Sequence, residues 1–233
     1  ILVLYAIVGV VLIPVCRWSD KAVLITAIIL MLQPVEWAKF FYAMNNPEYV
    51  ATPGQWLVHH KNMYPFLSQP DFWAMIKSNL WDGQLFSLLW GWSHGRFFQT
   101  ASLFLIGMLI GRRQLFVHLS ENRKFWLRTL LIGFVCFIPL YYLAEALPEL
   151  LANKSMLSPM NTIVSSFRNF SFMCVLVALF VFLWQQVSGH KVLSVLVPYG
   201  KMSLTNYLSQ SIIGTFIYFG YGLSLYNVLG VAA

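Results

Sequence analysis

His94 and Arg96 stand two residues apart in "SHGRFFQTASLFLIGMLIG", at the head of an apolar run, and set a proton carrier beside a fixed positive charge. An imidazole changes charge near neutral pH and suits general acid–base work. A guanidinium offers a planar fork to a carboxylate or a phosphate. His94 is therefore the candidate catalytic residue, and Arg96, with Arg168 in "SSFRNF", is a candidate for holding an anionic substrate or lipid. His59 and His60 belong to the same stretch, and their spacing assigns no nucleophile–base pair. No metal is expected: the histidines lack ligand spacing, and Cys16, Cys136 and Cys174 sit in apolar runs as small hydrophobes. No Walker loop or dinucleotide fingerprint occurs.

A second locus is "YGKMSLTNYLSQS", residues 199–211. On a helix, Ser203, Asn206, Tyr207 and Gln210 share one face, continued by Gly214, Tyr218 and Tyr221, while Leu204, Leu208, Ile212, Phe216 and Phe219 take the other. Amides and hydroxyls in hydrocarbon need partners, so this stripe lines a cavity or joins helices. A third locus is "GRRQLFVHLSENRKFWLR", where Arg112, Arg113, Arg123 and Lys124 could hold lipid phosphates or the phosphates of a nucleotide-bearing donor.

The elements that carry these residues follow from composition. Hydrophobic residues make up 59% of the 233 and charged ones 10%, and the mean hydropathy is +0.68. Such a chain cannot cover a water-facing surface, so the fold class is all-α, a polytopic transmembrane helix bundle. About six spans are expected, near residues 1–16, 22–42, 97–111, 125–147, 168–187 and 202–222. The net charge of +7 is not gathered into a nucleic-acid stripe. Its bases alternate by loop: Arg17 and Lys21, then Arg112 to Arg128, then Lys191 and Lys201. The positive-inside rule makes these loops cytoplasmic and puts the long segment 43–96 outside.

That segment carries Trp56, Trp73, Trp81, Trp90 and Trp92, which suit the headgroup level. The chain thus reads as one transmembrane domain over 1–233, with an extracytoplasmic interfacial insertion at about 43–96. Its abrupt apolar ends suggest an internal piece of a larger bundle. Pro34 predicts a kink in the second span, and Glu36 and Lys39, three apart near its end, are expected to reach water. Gly107 and Gly111 form a small-xxx-small pair, expected to pack helices closely within the chain and also able to serve an oligomer.

The block "GKMSLTNYLSQS" followed by "GYGL" resembles the signature near the C-terminal end of the YeiB-like bacterial membrane proteins, through Gly200, Met202, Leu204, Thr205, Asn206, Tyr207 and Gln210. A looser likeness covers "LFLIGMLIGRRQLF" and "ILVLYAIVGVV". The family is related to membrane acyltransferases that include heparan glucosaminide acetyltransferase. The resemblance implies a multi-pass protein of the bacterial cytoplasmic (inner) membrane that moves an acyl group from cytoplasmic acyl-CoA to a hydroxyl or amine of a small molecule or glycan outside. It also implies that the family's histidine and arginine lie upstream of Ile1. Transport of a small molecule or lipid precursor, or a non-catalytic scaffold among membrane lipids, are the alternatives.

Overall fold

The computed structural model describes residues 2–46, 48–186 and 192–225, and among them every regular element is helical. The expected tight connection at 188–191, with Lys191, lies outside them. The chain forms two compact units: Ile1–Thr52 with Gly91–His190, and Pro53–Trp90 with Lys191–Ala233.

In the first unit α1 (Leu2–Leu12) ends before a 3₁₀ turn, Pro14–Arg17, because Pro14 lacks the N–H that would continue the helix. Ser19 caps α2 (Asp20–Met31), its hydroxyl accepting from the Ala22 N–H at 3.4 Å. A break at Leu32–Gln33 separates α2 from α3 (Pro34–Asn45). α2 packs on α7 (Arg96–Arg112) through residues four apart, Val23 and Ala27 against Leu105 and Leu109. The Ser102 hydroxyl donates to the Ala27 carbonyl at 2.8 Å inside that contact.

α8 (Arg123–Leu150) and α9 (Lys154–Gln185) form the longest pair. A Cβ at Gly133 would meet the Ser171 carbonyl and Val175 at 3.1 Å, so glycine is what lets these two helices close. Phe137 and Phe172 stack at 5.2 Å along the same seam. At the far end Trp126, Ala178 and Val181 are buried, and the Trp126 indole donates to the Leu115 carbonyl at 3.2 Å. The outward side chains Ile132 and Val135 are 64% and 68% exposed, which fits a solvent of lipid tails.

The second unit holds α4 (Trp56–Leu67), α5 (Phe72–Ser78), a π-helical turn Asn79–Gly83, and α6 (Gln84–Ser93) as far as Trp90. A 3₁₀ turn, Ser194–Leu196, then leads to α10 (Val197–Lys201) and α11 (Ser203–Tyr218). The Gly220 N–H donates to the Leu67 carbonyl at 2.8 Å, tying the chain after α11 to the end of α4.

Three helices among the described residues are long and apolar enough to cross a membrane: Asp20–Asn45 counted through its break, Arg123–Leu150 and Lys154–Gln185. The other expected spans are shorter helices, of which α7 reaches the roughly 17 residues at the lower end of what a crossing takes. α1 has 11, α7 has 17 and α11 has 16. A further difference concerns Arg168, expected to open a span. It lies inside α9, because that helix begins at Lys154, well before the apolar run.

Candidate functional site

Helix α2 stops where Gln33 turns into the left-handed region, at φ 57° and ψ 58°, and Pro34 starts α3 with its ring fixed for a first turn. A non-glycine residue pays about 1–2 kcal/mol for that conformation. The side chain provides the compensation. Gln33 is wholly buried, and its Nε2 donates to the Gly95 carbonyl at 2.9 Å and to Ser166 Oγ at 3.1 Å. Ser166 Oγ in turn donates to the Thr162 carbonyl at 2.8 Å. Gly95 is itself left-handed, at φ 65°, and a Cβ there would meet Gln33 Oε1 at 2.6 Å and Thr162 at 2.9 Å. Gln33 Oε1 is buried without a hydrogen-bond partner among the described residues. Gln99 adds a longer bond from Nε2 to the Ser166 carbonyl, 3.4 Å. Two helix starts, those of α3 and α7, thus meet at one polar node.

His94 and Arg96 flank this node, both exposed, with His94 in the turn that joins α6 to α7. Arg96 reaches Gln99 Oε1 at 3.5 Å. Arg168 is half-buried within α9. Glu36 corrects an expectation: it is only 3% exposed and does not reach water, because Lys39 Nζ folds onto its Oε1 at 2.6 Å. An apolar cavity of about 530 Å³ lies among α2, α7, α8 and α9, with Ala27, Leu32, Cys136, Phe167 and Cys174 in its walls.

The four bases singled out in the sequence do not act alike. Arg112 closes the 3₁₀ turn by donating to the carbonyls of Cys16 at 2.7 Å and Trp18 at 3.0 Å, and it pairs with Asp20 at 2.8 Å. Arg113 stands 3.9 Å from the same carboxylate. Arg123 and Lys124 open α8 with exposed side chains. The small-residue pair also differs from expectation: among the described residues a Cβ at Gly107 or Gly111 would meet nothing within 4 Å, because α7 packs through Gln99, Ser102, Leu105 and Leu109 instead.

In the second unit the polar face of α11 is exposed at Ser203, Tyr207 and Gln210 and half-buried at Asn206. The Asn206 amide donates to the Tyr199 carbonyl at 3.4 Å, back across the turn from α10. The constellation that spacing did not reveal is His59 with Asp82. His59 Nδ1 lies 2.8 Å from Asp82 Oδ1, and Asn62 Nδ2 donates to the same oxygen at 3.3 Å. That hydrogen bond from His59 is the main cause holding the Asp82 carboxyl below its ordinary 3.8. An ionised carboxylate only accepts, so Nδ1 carries a proton, and in the neutral imidazole the lone pair is on Nε2. Asp82 reaches α4 because it sits in the π-helical turn, a widened geometry that recurs at functional sites. Met63, one turn after His59, and Gly83, directly after Asp82, line a cavity of about 240 Å³ with Phe66, Leu67, Met75, Asn79, Phe86 and Phe219.

No curated protein and no solved structure matches the chain. Residues 110–233 match the family described as "Protein of unknown function (DUF418)", which is the YeiB-like family. That match runs from the end of α7 through α11 and covers more than half of the sequence, so this helical chain, with its membrane-length α2–α3, α8 and α9, belongs to the DUF418 family.

Proposed function

We propose that the protein is a membrane acyltransferase that passes an acyl group from cytoplasmic acyl-CoA to a hydroxyl or amine presented outside. One observation carries the reading: His59 is held by Asp82 with its basic nitrogen opposite the hydrogen-bonded one, 2.8 Å from the carboxylate that orients it. The charge distribution puts this pair on the acceptor's side. His59 Nε2 takes the acceptor's proton as its oxygen or nitrogen bonds to the thioester carbon. The carbon–sulfur bond then breaks, and the imidazolium returns the proton to the leaving thiolate. Arg123 and Lys124 attract the donor's phosphates, Arg96 and Arg168 hold an anionic substrate or lipid headgroup, and the face from Ser203 to Gln210 lines a cavity of its own unit.

Membrane vesicles holding the full-length protein, with radiolabelled acetyl-CoA on the cytoplasmic face, test this. Label should move to a non-protein product, and His59→Ala should reduce the transfer by about 10²-fold or more, with His60→Ala close to parent. Label that stays on CoA, or transfer indifferent to His59→Ala, overturns the reading.

A second reading, transport, is favoured by the break at Gln33. Discontinuous spanning helices are where transporters place their sites, since freed backbone groups there can meet a substrate. Uptake of a solute that survives His59→Ala and falls with Gln33→Leu would select it.

A further inference from the structure

We infer that the cavity in the second unit receives the apolar body of the acceptor, an alkyl or aryl alcohol or amine rather than a sugar, beside His59. This rests on the acyl-transfer reading for the proton step, and on the cavity's own walls for the class of acceptor. Met63, Phe66, Met75, Phe86 and Phe219 surround about 240 Å³, and Asn79 is the one polar side chain among the lining residues. At about 30 Å³ for a water-sized group, that space takes about eight methylene-sized groups, an octyl chain or a phenyl ring on a short linker. A sugar of that volume would bury several hydroxyls against thioethers and rings with a single amide to meet them.

The site is built and not merely left over between helices. The π-helical turn gives one element two faces: Asp82 bonds His59 of α4, while Asn79 and Gly83 line the cavity. A Cβ at Gly83 would collide with the Asn79 side chain and touch Met63 Sδ at 3.4 Å, so glycine keeps that wall open. Met63 follows His59 by one helical turn, so the imidazole and this wall of the cavity share one face of α4.

The probe is octanol carrying a diazirine, photolysed with the full-length protein in membranes and mapped by mass spectrometry. Labelling is expected at Met63 or Met75, suppressed by excess octanol and unaffected by N-acetylglucosamine. Met75→Trp, which fills the space, should lower it by about tenfold, and the milder Met63→Phe should lower it less. His59→Ala should keep the labelling and lose acyl transfer to octanol. Selective labelling with no transfer by the parent protein would retain the site and overturn the acyl-transfer reading. Labelling spread over lipid-facing helices and indifferent to both methionine variants, or transfer to the sugar that ignores them, would overturn the inference itself.

Discussion

Asp82 offers the most direct measurement at the level of a single side chain. Its carboxyl is held below 3.8 by the His59 hydrogen bond. A lowered carboxyl contributes stability that is present above the ordinary value and lost as pH falls through the lowered one. Carbon-13 NMR of labelled aspartate should therefore give Asp82 a midpoint below 3.8, and His59→Phe should raise that midpoint. An unmoved midpoint would mean that the hydrogen bond does not hold in solution. His59 and Asp82 were both visible in the sequence, but 23 residues of separation conceal their pairing. It depends on a π-helical turn, and no spacing rule announces one. His94 drew notice because it precedes an apolar run, a signal of position and not of partnership.

Helices and their contacts were more legible, because apolar periodicity reports burial directly. Pro34 foretold a disturbance in the second span, yet the break falls at Gln33, whose conformation depends on Gly95 and Ser166, 62 and 133 residues away. Asn206 was expected to line a cavity or join helices, and the partner it takes is the nearby Tyr199 carbonyl. Glycine spacing drew the eye to Gly107 and Gly111, whereas the contact that brings α8 against α9 is at Gly133, which has no second glycine four residues away. Gly133→Leu should force α8 from α9 and destabilise the protein by about 1–3 kcal/mol, read as a lower melting point in detergent. Gly107→Leu, pointing into open space, should leave melting close to parent. Equal damage from both would refute the assignment of close packing to α8 and α9.

For the molecule as a whole, the charge pattern makes a sidedness prediction. In a cysteine-free background, Lys61→Cys and Ala152→Cys should react with a membrane-impermeant thiol reagent in intact cells, and Glu121→Cys should not. The opposite pattern would reverse the placement of His59 with respect to the acceptor. Membrane class was legible from composition alone, whereas the number of full spans was not. Apolar runs do not reveal where a helix begins or breaks, and α7 and α11 stop at 17 and 16 residues.

The Gln33 node also sets a clock on biosynthesis. Ser166 follows Gln33 by 133 residues, a delay of about 7–27 s at roughly 5–20 residues per second. Through that interval the nascent amide lacks the serine that will hold it, and hydrocarbon offers no replacement. Gly95 can meet the amide after 62 residues and Ser166 only after 133, so one buried glutamine makes the completion of this break a late event in the life of the new chain.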